Sequence, residues 1–344
     1  MLNDEDNNVL VSILCTTYNH EKYIEQAIQG FLAQKTTFRF EILIHEDASE
    51  DSTAAIILKY AKDYPSLIKP IIQKQNQYSQ GVIISRQILL PIAKGKYIAL
   101  CEGDDYWIDP YKLQKQINYL EENNNFSFSF TNAVVEYNGK KNKKTENFIP
   151  WNRYESYHFD ANKRVYNLHD LVRLASIPTA SFVIRKNVFA QIPRLSDNCF
   201  QGDRYIELFC ISKGPAFFLN ECTCVYRKNV EGSATSVWKN MKVGFGEMHP
   251  INIKFINMYD EFDKLTNGYF KEDINILRIQ SKLGYAINSR DIAYLKKKDV
   301  KEIALKLGLK TTIKYYLAYL PFSDYLFLVF RLVKEYIIKW NKII

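Results

Sequence analysis

The feature that most constrains this chain is a fourfold alternation of apolar runs with helix-spaced segments through its N-terminal third. VLVSILC precedes a segment in which Tyr23, Ala27, Ile28 and Phe31 recur at helical spacing. FEILIHED is then followed by STAAIILKYAKDY, IKPIIQ by GVIISRQILLPIA, and KYIALCEGDD by PYKLQKQINYLEEN. Runs this short and this rich in Val, Ile and Leu suit strands buried on both faces. Four successive βα units therefore predict an α/β fold, a Rossmann-like, mostly parallel sheet flanked by helices. The 344 residues allow one such catalytic domain with an appendage.

In open sheets of this kind ligands bind beyond the carboxyl ends of the strands. Those ends are unusually polar here: Thr16, Thr17, Tyr18 and Asn19 after the first run, His45, Glu46 and Asp47 after the second, and Glu102, Gly103, Asp104 and Asp105 after the fourth. Glu102, Asp104 and Asp105 would repel one another unless a hard divalent cation, Mg²⁺ or Mn²⁺, shares their oxygens with substrate phosphates. The competing reading makes Asp105 or Asp109 the cap of the helix that opens near Pro110, a role that suits Asp109. Asp47 stands closer to its strand end than the capping candidates Ser49 and Asp51. It reads equally as a turn residue or as an acceptor for a nucleobase or ribose.

Beyond the strand-like FSFSFTNAVVEY, the polar, basic NGKKNKKTEN reads as an exposed loop separating two halves, about 9–137 and 166–235. The second half continues with NLHDLVRLA as helix, TASFVIR as strand, DRYIELFCISKG as a helix closed by Gly214, and PAFFLNECTCVYR as strand. The six cysteines lack paired zinc-site spacings and read as reduced core residues; the alternation of Cys222 and Cys224 also allows a metal pair. The acidic start MLNDEDNNV is unlike a secretory signal, which predicts a cytoplasmic catalytic part.

Net charge is +8, and from Lys296 onward eleven Lys or Arg face four Asp or Glu. No recognition motif accompanies this excess, so nucleic acid is not the expected partner. A helix from Leu326 would carry Arg331, Lys334, Glu335, Lys339 and Lys342 on one side and Leu326, Val329, Val333, Tyr336, Ile337 and Trp340 on the other. No uncharged run nears the roughly 20 residues that span a bilayer. Such a helix suits the anionic inner face of a membrane and a lipid-linked acceptor; packing on the catalytic domain or on a partner protein is the alternative.

SILCTTYNHEKYIEQAI, ILIHEDASEDST, SRQILLPIAKGKYIALCEGDDYW and GDRYIEL, in that order, resemble family 2 glycosyltransferases of the GT-A fold over about residues 9–230, most closely bacterial enzymes of surface-polysaccharide, capsule and lipopolysaccharide synthesis. The resemblance implies a GT-A catalytic domain over 1–235 with a helical C-terminal tail over 236–344, and an inverting transfer from a nucleotide-sugar, with UDP as the expected nucleotide. By position it implies that Thr17, Tyr18, Asn19, Asp47, Arg86, Asp104 and Arg227 line the donor site. Asp104 and Asp105 would also serve the cation, with Glu102 acting through water, and Asp203 would be the catalytic base. Thr179 and Ser181 correspond to a strand beside the donor sugar or acceptor. The chain departs from the family pattern at Thr16, where proline is usual, at Glu102, where aspartate is, and at Asn229, where histidine is. The last two departures leave room for a nucleotide-sugar-binding scaffold without turnover. A metal-dependent phosphohydrolase is compatible with the acidic cluster but not with its neighbours.

Overall fold

The computed structural model describes residues 8–137, 146–149, 162–174, 176–241, 243, 247–307 and 309–320. The first half runs β1 (Val9–Thr17), α1 (Ile24–Leu32), β2 (Arg39–Glu46), α2 (Thr53–Asp63), β3 (Ile68–Ile72), α3 (Leu90–Ile92), β4 (Tyr97–Leu100), β5 (Tyr106–Trp107), α4 (Lys112–Glu122) and β6 (Phe128–Tyr137). The second contains β7 (Glu146–Asn147), β8 (Val165–Tyr166), α5 (Leu168–Leu171), β9 (Val183–Arg185), α6 (Lys186–Phe189), α7 (Asp203–Lys213) and β10 (Ala216–Lys228). Then follow α8 (Ala234–Asn240), α9 (Pro250–Leu265), α10 (Lys271–Asn288), α11 (Ile292–Leu295), α12 (Lys298–Lys306) and α13 (Leu309–Leu317).

The strands form one 10-stranded sheet in the order β3-β2-β1-β4-β9-β6-β10-β5, with β7 on β6 and β8 on β10. β1 pairs in parallel with both β2 and β4, so the chain leaves β1 in one direction and returns on its other side. That reversal places the carboxyl ends of β1 and β4 at the switch point where such sheets hold ligands. β9 is antiparallel to both β4 and β6, while β10 runs parallel to β6. The carboxyl end of β10 therefore arrives at the same rim, and β5 pairs with it antiparallel through Trp107–Cys224 and Tyr106–Val225.

Period-two burial builds the layers. Val11, Ile13 and Cys15 face α1, α2 and α4, whereas Leu14 packs on the other side with α5 and α7. Side chains withdrawn as fully as Ile13 or Phe31 contribute about 1.5–3 kcal/mol each. The core does not stop at residue 235: Met258, Tyr259 and Phe262 of α9 and Ile274 and Leu277 of α10 join the cluster that holds α7. A separate small core links α10 to α13 through Leu283, Leu295, Ile303 and Tyr315.

Two local expectations change. GVIISRQILLPIA is not one α-helix but a π-helical turn over Ser85–Leu89 running into α3. Pro91 has no N–H and crowds the preceding turn, and the wider π turn accommodates it. Thr179–Ser181 form a 3₁₀ turn ahead of β9 rather than strand, and the Ser181 hydroxyl donates to the Pro178 carbonyl at 2.6 Å. All six cysteines are free thiols, and bulges flanking Cys222 in β10 break its regular alternation with Cys224. The segment from Leu326 onward lies outside the described residues.

Candidate active site

The acidic turn connects β4 to β5 and lies against the end of β1. The Gly103 N–H donates to the Thr16 carbonyl at 2.9 Å. A Cβ on Gly103 would sit 2.8 Å from the Thr17 hydroxyl and 3.0 Å from His20 Nδ1, so no larger residue fits this contact unaltered. Asp105 Oδ1 accepts the Arg227 backbone N–H at 2.8 Å, binding the turn to β10. The Arg227 guanidinium donates to the Asp104 carbonyl at 2.7 Å and to the Gln26 side chain, and it lies 5.1 Å from the Tyr23 ring and 4.4 Å from the Tyr106 ring. Arg227 is thus a clamp on the turn, with much of its donor capacity spent on protein acceptors.

The turn concentrates negative charge. Glu102 keeps surface exposed to solvent, yet the protein packed around its carboxyl and the like charges of Asp104 and Asp203 push it up to about 8. Burial, then Asp104 and Glu102, also hold the Asp105 carboxyl well above the usual range. Among the described residues no three His, Cys, Asp or Glu side chains form a preassembled metal cage. A cation that takes one or two carboxylates and completes its shell with phosphate oxygens and water needs none, and this all-oxygen, charge-crowded turn fits one.

The β1 end divides its work. Thr17 is buried and its hydroxyl has no protein partner, while Tyr18 is exposed. Asn19 adopts a left-handed φ of 55°, donates its N–H to the Ser49 hydroxyl at 2.9 Å and accepts the Glu50 N–H at 2.9 Å. His20, overlooked by sequence reasoning, donates its N–H to the Thr53 hydroxyl at 2.8 Å and leaves Nδ1 unpartnered beside Gly103. Its only sequence signal is its place directly after TTYN.

Asp47 is buried, and its two oxygens accept the N–H groups of Gln77 at 2.7 Å and Tyr78 at 3.0 Å. It therefore staples the loop after β3 and presents Tyr78, 65% exposed, within electrostatic reach of Glu102. Asp109 does not cap α4, whose N-cap is Tyr111 with no side-chain cap; it accepts the Tyr111 N–H at 2.8 Å in the turn before the helix, because the helix opens at Lys112 and not near Pro110. Arg86 reaches across to the second half. Its Nη1 donates to the carbonyls of Ile192 at 3.2 Å and Pro193 at 3.0 Å, and the guanidinium lies 5.6 Å from the Tyr205 ring, with Nε and Nη2 buried and unpartnered.

Asp203 opens α7, with Gly202 extended before it and no side-chain cap. Its Oδ1 accepts the Arg204 N–H at 2.7 Å and its Oδ2 the Thr179 hydroxyl at 3.3 Å. Burial raises its carboxyl above the ordinary value. Its charge is felt at Glu102, so the fold brings the acidic turn and Asp203 within electrostatic reach of each other from positions about a hundred residues apart.

Against this geometry, the profile of Glycosyl transferase family 2 matches residues 12–188, more than half of the chain. The chain belongs to glycosyl transferase family 2. This family 2 chain is 36% identical over 223 residues to the uncharacterized protein Rv1520 of Mycobacterium tuberculosis, covering 64% of this chain and 60% of that one. It thus spans about three fifths of that relative's length. It is 39% identical over 127 residues to the Escherichia coli UDP-Glc:alpha-D-GlcNAc-diphosphoundecaprenol beta-1,3-glucosyltransferase WfaP, covering 37% of this chain and 47% of that one. Its fold is that of the GT-A enzymes: the crystal structure of Staphylococcus aureus TarS residues 1–349 in complex with UDP-GlcNAc superposes with a TM-score of 0.53 at 16% identity, over 90% of each chain.

Proposed function

We propose that this chain is an inverting, cation-dependent glycosyltransferase that moves a sugar from a nucleotide-sugar, UDP-linked by preference, to a lipid-linked or growing glycan acceptor in surface-polysaccharide synthesis. The observation that carries this reading is the charge-crowded acidic turn brought within electrostatic reach of the half-buried carboxylate of Asp203. The family, the UDP-GlcNAc bound by TarS and the diphosphoundecaprenol acceptor in WfaP's name support the substrate classes.

Mn²⁺ or Mg²⁺ held by Asp105 and Asp104, with Glu102 through water, would neutralise charge on the departing nucleoside diphosphate. Thr17 and Tyr18 line the donor side of the cleft, with Asn19 and Asp47 ordering its loops. Asp203 accepts the proton of the acceptor hydroxyl as that oxygen attacks the anomeric carbon from the face opposite the leaving group. The Thr179 hydroxyl and the Arg204 N–H hold the carboxylate in position for that transfer.

The test is a panel of nucleotide-sugars with Mn²⁺ and a polyprenyl-diphosphate-linked acceptor, read as nucleoside diphosphate release. Acceptor-dependent release that EDTA abolishes is expected. Donor binding with no release on any acceptor would favour the scaffold reading that Glu102 and Asn229 suggest.

The described end of the chain favours a membrane-surface position. Ile313 and Tyr316, three residues apart on α13, are exposed, and Leu320, also exposed, lies in the turn that follows the helix. Seven lysines against Asp299 and Glu302 occupy residues 296–314. No helix among the described residues is long and apolar enough to cross a membrane. The full chain is expected to cosediment with vesicles containing phosphatidylglycerol but not with phosphatidylcholine alone. The triple change Ile313→Glu, Tyr316→Glu, Leu320→Glu should weaken that binding about tenfold or more, an order consistent with the apolar area removed. Undiminished binding by the triple variant would place the contact elsewhere.

A further inference from the structure

Lys112, in the first turn of α4, is wholly buried. Among the described residues its ammonium makes no ion pair. It donates to Gln116 Oε1 at 2.8 Å and to the Ser181 carbonyl at 3.3 Å, and it lies 4.4 Å from the Trp107 ring. Gln116 Nε2 reaches the same Ser181 carbonyl at 3.0 Å and the Ser129 hydroxyl at 3.0 Å, while Trp107 Nε1 donates to the Ala180 carbonyl at 2.8 Å. Three side chains from the segment just after the acidic turn thus capture two successive carbonyls of the Thr179–Ser181 turn. From that same turn the Thr179 hydroxyl bonds Asp203.

Stability does not account for this arrangement. A buried cation with only neutral partners costs several kcal/mol of desolvation, and apolar replacements at such sites are often neutral or stabilising. Burial has already pushed the amine down to about 8. The network does join two segments from different halves of the chain, since Trp107 stands two residues after Asp105 and the Thr179 turn carries the partner of Asp203.

We propose that Lys112, with Gln116 and Trp107, is a positioning residue: it yokes the acidic turn to the Thr179–Ser181 turn and so fixes the placement of Asp203 relative to the donor diphosphate. The inference rests on the glycosyltransferase reading above. Lys112 touches neither substrate; it acts through the Ser181 carbonyl and Thr179. A misplacement of the base by a fraction of an ångström lowers the chemical step while leaving donor contacts intact.

The experiment compares wild type with Lys112→Met, measuring kcat, KM for the donor, Kd for UDP by calorimetry, and Tm. The expected result is a kcat about tenfold lower, KM and Kd within about twofold of wild type, and a Tm unchanged or higher. A purely structural lysine would instead lower Tm and activity together. Should Lys112→Met fail to fold, Trp107→Phe keeps the ring beneath the ammonium and removes only the donor to Ala180; it is expected to show the same split at about threefold in kcat. Wild-type turnover matched by the variants, or Kd weakening in step with kcat, overturns this inference alone. Wild type that turns over no donor overturns the glycosyltransferase reading and this inference with it.

Discussion

Asp203→Asn is expected to lower kcat about a thousandfold or more while UDP-sugar binding stays within about twofold, because a positioned base contributes roughly 10²–10⁴ and an amide cannot take the proton. Asparagine still offers one oxygen to the Arg204 N–H, so α7 keeps its start. The pH dependence has a definite sign. Burial raises the folded-state pKa of Asp203 above its unfolded value, so the folded chain binds more protons through that interval. Stability attributable to this group therefore falls as pH climbs from the ordinary carboxylate value through the raised one. Activity, which needs the ionised base, rises over the same interval. Above that interval the ionised carboxylate costs stability, and Asp203→Asn should there show an unchanged or higher Tm with its turnover lost. Thermal melts and steady-state kinetics on one preparation check both; a variant retaining a tenth of wild-type kcat would remove Asp203 as the base.

Asp105→Asn should reduce kcat/KM roughly 10²–10³-fold, the scale of losing one preorganised electrostatic group, or about 2.7–4 kcal/mol. The amide oxygen can still accept the Arg227 N–H, so the turn stays attached to β10. Burial and the neighbouring Asp104 and Glu102 already hold the Asp105 carboxyl high. Removing its charge relieves repulsion, and Tm at neutral pH should not fall. Asp105→Ala differs, because it strands the buried Arg227 N–H and adds a stability loss of about 1–3 kcal/mol. Titrating Mn²⁺ into chelator-treated enzyme separates the effects: wild type should recover activity with added metal, while Asp105→Asn should need a much higher concentration. Equal metal dependence in the two proteins would remove Asp105 from the cation site.

Much of the frame was legible from sequence. Apolar runs alternating with helical segments specified β1 to β4 and their parallel pairing, and hence the rim where β1 and β4 end. The acidic quartet announced itself by composition, since three carboxylates within four residues need a reason to coexist. Asp109 reads as a helix cap, but the helix opens two residues later than the sequence suggests, so its carboxylate closes the preceding turn instead. The π turn before α3 was readable in principle from Pro91, but a helical pattern does not say how the chain will absorb a missing N–H.

What was not legible concerns partners. The residues expected to hold donor atoms proved partly occupied by their own chain. Asp47 spends both oxygens on backbone 30 and 31 positions away, and Arg227 grips the acidic turn from 122 and 123 positions away. Nothing in the sequence singled out Lys112, and burial made it part of a network with Ser181, 69 positions distant.

The sequence by itself therefore determined the order of βα units, the polar strand ends and the residues that share the rim, because side-chain period and strand polarity are local properties of the chain. Only the tertiary structure decided which of those residues face the cleft and which are consumed in holding it. Hydrogen-bond partners are chosen by sheet register and by exclusion of water, and both arise only when distant segments pack together.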